Sequence, residues 1–419
     1  MTSPAFLQNR IMRVAALAVA LAMAGAPALA AGPKAYVGNF KDNSVSVIDT
    51  GSLAVTATLP VAAGPDGIVV TPDGATAFVS GSSASSVSVI DTATDAVSSG
   101  IEVGKGPQGL AVTPDGRWLL VAVNGDDRVA LVDIASRAVV GTIAVAKPHT
   151  IAVRADGQRA YVTSQEPGHF ALAVIDLAAR TVVASVPVDK PPRDMEFDSD
   201  GQSLYFTMAG VPAVQVLDPA TNRIVAQIPT GVSPHLAHRF AGMREGVVVV
   251  QGPGELLLFD PATRAPLRSI AVGKQPHWVD ATADGKRLFV SNEGSNSVSV
   301  IDPASGVTAT IAVGNAPRKI AVQRLMKAAA TAGGDARVSI SNFVFEPAQL
   351  TVTAGQRVVW SNDDGAPHGV RFNDGTPGQD LMLPGQTFSH VFAKPGVYDY
   401  VCSVHPYMTA RITVRAAKG

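Results

Sequence analysis

What this chain lacks narrows what it can be. It has one cysteine, Cys402, in 419 residues. That excludes an intrachain disulfide and leaves an unpaired thiol in need of another explanation. Charged residues are only 16% and aromatics 5%, with a net charge of −1. No basic groove with interleaved aromatics occurs, so no nucleic-acid partner is expected. Beyond the N-terminal segment no apolar run is long enough to cross a bilayer.

What is present begins with a targeting segment. Arg10 and Arg13 precede the apolar run from Val14 to Ala24, and Ala28-Leu29-Ala30 offers a small-residue cleavage site. Residues 1–30 read as a secretory signal peptide. The run is short and ends in Gly25 and Pro27, against a membrane anchor; Met12 is an alternative start. The mature protein is expected to be exported, periplasmic and without a membrane span.

From residue 34 to 323 one phrase recurs. It reads S-V-S-V-I-D at 44–49, 86–91 and 297–302, and R-V-A-L-V-D, L-A-V-I-D, V-Q-V-L-D and L-L-L-F-D between them. The closing aspartates (Asp49, Asp91, Asp133, Asp176, Asp218, Asp260 and Asp302) are 42, 42, 43, 42, 42 and 42 residues apart. Seven such units of strands and turns predict a seven-bladed β-propeller with four strands per blade. The aspartates are expected to cap the turn after the third strand. The chain starts at a second strand and ends with a spare inner strand, Arg318 to Gln323, expected to pair with Ala35–Asn39 and close the ring. The repeats resemble the family named for its Y-V-T-N motif, which fixes fold better than function.

Each inner strand follows a proline, so equivalent positions can be aligned around the channel. The residues just after it are Asp66, Gln108, His149, Arg193, His235, His277 and Arg318. Three positions deeper lie Val69, Ala111, Ala152, Glu196, His238, Asp280 and Ala321. His149, Arg193, Glu196, His235, His238, His277, Asp280 and Arg318 therefore form a candidate channel site. It reads as a possible second metal site or small-anion pocket, or as a hydrated channel whose polar residues hold water.

Residues 324–336 break the repeat. Alanine-rich and then glycine-rich, they read as a short helix or flexible tether spanning at most about 45 Å. Beyond them, residues 337–416 carry His368 in one loop and, in another, Cys402, His405 and Met408 spaced C-x-x-H-x-x-M. A thiolate and two imidazoles with an axial thioether suit copper cycling between Cu(I) and Cu(II). Residues 388–393 and 396–401 read as strands joined by a Pro395-Gly396 turn, the second delivering Cys402 to a loop.

The blocks F-E-P-A-Q-L-T-V-T-A-G-Q-R-V-V-W, A-P-H-G-V, P-G-V-Y-D-Y-V-C and C-S-V-H-P-Y-M resemble the cupredoxins, close to plastocyanin, pseudoazurin and amicyanin. The resemblance implies that His368, Cys402, His405 and Met408 are type 1 copper ligands, one blue copper per chain. Two departures stand out: Gly369 replaces a frequent Asn that ties the ligand loops together, and Ala410 replaces a frequent Gly. His405, with a collar of Ala366, Pro367, Pro406, Tyr407, Met382 and Leu383, is the expected electron port. The fold expected is all-β, a propeller followed by a cupredoxin sandwich. The function expected is single-electron transfer to a periplasmic redox partner such as a cytochrome c or a copper or haem oxidoreductase, with the propeller as docking scaffold. The alternative is an oxidoreductase whose channel site is fed by the tethered copper.

Overall fold

The S-V-S-V-I-D phrase folds as a sheet interior because both of its faces are covered. Ser44–Asp49 and Ser297–Asp302 are buried at every position except the terminal aspartate. The computed structural model describes residues 33–324 and 335–415. The expected signal peptide and residues 325–334 of the expected linker lie outside them. Within the first segment there are seven four-stranded sheets. In each, inner, second, third and outer strands pair antiparallel in chain order, except in the first. There the chain's last inner strand, Pro317–Val322, pairs with Lys34–Asn39, Ala35 facing Val322 and Tyr36 facing Ala321. The ring closes as expected, and neither chain end leaves an open edge.

The repeat's polar letters have structural work. Asn39 closes the second strand and its amide donates to Ser44 and Ser46 at 3.0 and 2.9 Å. Asn292 does the same for Ser297 and Ser299. These alternate serines therefore satisfy a buried amide that would otherwise cost folding energy. The repeat aspartates cap their turns: Asp91 accepts from Thr94 N at 2.9 Å, Asp133 from Ser136 N at 2.8 Å, and Asp260 from Thr263 N at 3.0 Å.

Each inner strand slips register just after its proline, as between Pro65 and Ile68, Pro192 and Met195, and Pro234 and Ala237. Proline has no N–H for the ladder, so a bulge belongs there. In a regular strand, positions three apart face opposite sides. One extra residue reverses that parity, so Arg193 and Glu196, or His277 and Asp280, can both face the channel.

Residues 335–415 form a sandwich of a four-stranded and a five-stranded sheet. Its first strand is Ala336–Ser341, one residue earlier than the domain start read from sequence, and Asp335 pairs with Arg357. Trp360, fully buried, donates its indole N–H to Tyr400 Oη at 3.1 Å. The strands read as 388–393 and 396–401 are Thr387–Val391 and Gly396–Val401. They lie in different sheets, the first beside Arg357–Asn362 and the second between His368–Phe372 and Thr409–Arg415. The segment joining them is a crossover anchored by buried Phe392.

Candidate metal centre

Two loops at one end of the sandwich bring the expected ligands together. His368 opens the strand His368–Phe372; Cys402 follows the strand that ends at Val401. Both are fully buried, and His405 is half-buried. Cys402 Sγ lies 3.6 Å from His368 Nδ1 and 3.8 Å from His405 Nδ1, and the two Nδ1 atoms are 3.2 Å apart. A triangle with those sides has its centre roughly 2 Å from each corner, about the length of a metal bond to imidazole nitrogen or thiolate sulfur. The donor set and its spacing fit one ion. Met408 is 3% exposed. Its N–H donates to His405 O and its carbonyl accepts from Cys402 N, both at 2.9 Å, which folds the loop back on the thiol.

Outer contacts hold each ligand. His368 Nε2 is 3.1 Å from Asp364 Oδ2, so the carboxylate accepts the hydrogen bond from Nε2–H and leaves Nδ1 free to bind. The same carboxylate accepts from Phe343 N at 2.9 Å, and the Phe343 ring packs edge-on to His368 and His405 at 5.2 and 4.9 Å. The backbone N–H groups of Gly369 and His405 point at Cys402 Sγ, at 3.4 and 3.3 Å, and stabilise a thiolate. Buried Asn362 donates to the carbonyls of Ala366 and Met382, which pins the His368 loop.

Gly369 has a physical explanation. A Cβ there would stand 1.9 Å from Ser403 Oγ and 2.4 Å from the Asp380 carbonyl. Ser403 Oγ donates to that same carbonyl. Ser403 thus ties the cysteine loop to the strand Gln379–Met382, which pairs with His368–Phe372. One collar residue is corrected: Met382 is 1% exposed and belongs to the core, whereas Leu383 is 48% exposed.

The channel residues do not gather in the same way. His235 and His277 pack with ring centres 4.0 Å apart and planes tilted by 46°. His235 Nδ1 lies 2.8 Å from Asp194 Oδ2, close but off the line of a good hydrogen bond. His149 Nδ1 contacts Thr150 Oγ1, which donates to Asp194. Lys319 reaches Asp194 at 3.8 Å and lies 4.0 Å over the Trp278 ring. Asp194 and Lys319 were missed in the sequence. They sit two residues after the proline, where two other blades carry Gly67 and Gly109, and charge at a position that tolerates glycine was the available signal. Burial alone would raise the Asp194 carboxyl, but His235, Lys319 and His149 hold it well below its ordinary value. Burial lowers His149, His277 and His238, the last to about 3, so these imidazoles are neutral near pH 7.

The remaining candidates are engaged elsewhere or stand apart. Arg318 pairs with Asp66 and Glu293. Asp280 accepts from Val322 N at 2.7 Å and pairs with Arg324, which makes it a staple for ring closure. Glu196 is pushed up to about 7 by burial. Arg193 is half-buried on its strand, and His238 packs against Phe240. Among the described residues, the group of three or more His, Cys, Asp or Glu whose ligand atoms all lie within 4.8 Å of one another is His368, Cys402 and His405. No helix among these residues is long and apolar enough to cross a membrane.

A sandwich with a buried cysteine sulfur and two inward imidazoles at one end, carried on a β-propeller, defines a copper-binding cupredoxin fusion. The chain belongs to the YNCE-like beta-propeller family through residues 12–113 and 110–242, and to the plastocyanin/azurin family of copper binding proteins through residues 332–415. It is 32% identical to amicyanin-alpha of Methylorubrum extorquens over 112 residues, 25% of this chain and 93% of that protein. It is 35% identical to amicyanin of Paracoccus denitrificans over 92 residues, 21% of this chain and 70% of that protein. Among solved structures, hydrazine synthase of Kuenenia stuttgartiensis aligns with a TM-score of 0.59 and 21% identity, covering 64% of this chain and 92% of that chain. At that identity the likeness is one of fold.

Proposed function

We propose that this protein is an exported, periplasmic carrier of single electrons, with the propeller as docking scaffold. The observation that carries the reading is the triangle of His368 Nδ1, Cys402 Sγ and His405 Nδ1, backed by Met408. These four side chains would hold the ion, and copper bound there supplies a one-electron Cu(I)/Cu(II) couple. The protein's part is rigidity. Asp364 fixes the His368 tautomer, two N–H groups steady the sulfur charge, and the Met408 loop is closed by its own backbone. His405 is the half-buried ligand, and exposed Pro367, Pro406 and Leu383 surround the region where a redox protein such as a cytochrome c, or a copper or haem oxidoreductase, would dock.

An oxidoreductase site in the channel has weaker support, because the imidazoles there do not converge: His235 lies beside Asp194, His149 contacts Thr150, and His238 packs against Phe240. The test is spectroscopic. Copper-loaded protein should show an intense thiolate-to-copper absorption band that Cys402→Ser abolishes. Protein that stays colourless with Cu(II) and keeps a titratable thiol would falsify the assignment.

A further inference from the structure

The copper domain does not stand free of the propeller. Gln349 Nε2 donates to the Asp115 carbonyl at 2.7 Å, and Gly242 N donates to Asn342 Oδ1 at 3.2 Å. Asp115 and Gly242 each sit in the turn that follows an inner strand, Pro107–Val112 in the third blade and Pro234–His238 in the sixth. Those turns lie on one face of the ring, nearly opposite each other, so the copper domain straddles the channel mouth.

The end that holds Cys402 is the end turned toward this face. Asn342, which meets Gly242, directly precedes Phe343, whose ring packs on both ligand histidines. On the other flank of His405, Tyr407 lies with its ring 5.9 Å from the imidazole. Tyr407 also falls within the field of Asp200, in the corresponding turn of the fifth blade. Asn342, on one side of the His405 edge, is thus set against the propeller, and Tyr407, on the other, lies within the field of its Asp200.

We propose that the turn face of the propeller is the docking surface for the copper domain of the same chain, and that it covers the Asn342–Phe343 flank of the His405 edge while Pro367, Pro406 and Leu383 stay exposed. This rests on the electron-carrier reading and identifies what the scaffold docks. The interface is polar and held by few bonds, as expected of a reversible contact between domains. An outside redox protein then competes with the propeller for the His405 edge, whereas a small reagent does not.

The test compares the full mature chain with the double variant Asn342→Gly and Gln349→Glu. Glycine removes the bond to Gly242 and tolerates the left-handed backbone of Asn342 (φ 52°). The glutamate sets a carboxylate against the Asp115 carbonyl. Neither change touches a ligand. Losing two hydrogen bonds should raise the undocked population about tenfold. Small-angle X-ray scattering should then show a larger radius of gyration in the variant. Its copper should be reduced about tenfold faster by a c-type cytochrome and at an unchanged rate by hexaammineruthenium. Identical scattering and identical cytochrome rates in the two proteins would overturn the docking. Failure of the copper reading shows separately, as loss of the blue band in both, while scattering still reports the docking.

Discussion

Asp364 is the residue on which the site's orientation turns, because one carboxylate fixes both His368 and the backbone under Phe343. Asp364→Asn should weaken copper affinity by about tenfold or more, the usual effect of losing such an outer partner, read by competitive chelator titration. Gly369→Ala should do a different kind of damage. Its Cβ has no room between Ser403 and Asp380, so the loops must part, at about 1–3 kcal/mol of stability. A lowered thermal midpoint and a displaced copper band would register it; an unchanged midpoint would refute the steric argument. Cys402, His405 and Met408 were legible because C-x-x-H-x-x-M is local, and His368 through the separate block A-P-H-G-V. Asp364, Asn362 and Phe343 were not, since they act through contacts between loops that leave no periodic trace.

At the scale of the strand, the inner strands show both the reach and the limit of sequence reasoning. A proline every repeat aligned the blades, and the closing strand Pro317–Val322 was placed correctly. The bulge after each proline was not read, and it decides which side chains share the channel. Hence Asp194 and Lys319, between the two rings that were read, went unseen. Glu196 offers a measurable consequence. Its value rises from 4.5 to about 7 on folding, mainly through burial. The folded chain therefore holds that proton longer than the unfolded chain, so stability falls as pH rises from about 4.5 through 7. Glu196→Gln should remove this decline and leave the variant more stable than the parent above pH 7 by about 1–3 kcal/mol. Urea unfolding at pH 4 and pH 8 checks it; a variant less stable at pH 8 would show that the carboxylate is needed in its charged form.

At the scale of the whole molecule, two cores meet through a few polar contacts, so their stabilities should be separable. The propeller's weak point is its seam, where Gln323 donates to Gly74 O at 2.7 Å and Thr92 Oγ1 at 3.1 Å and accepts from Lys34 N. Gln323 is 6% exposed, and Gln323→Ala would strand the Lys34 N–H at a closure that joins residues far apart in sequence. Leaving a buried group unpaired costs about 1–3 kcal/mol, enough to lower the propeller's transition by several degrees in calorimetry. The copper band should not change, because no ligand lies near the seam. Stripping the metal should have the opposite signature. A ligand present at a thousand times its dissociation constant stabilises the fold that binds it by about 4 kcal/mol, so chelation should lower the cupredoxin's transition and spare the propeller's. If instead both transitions moved together under either treatment, the two cores would be one cooperative unit, and the contacts at Asp115 and Gly242 would be only part of a larger interface.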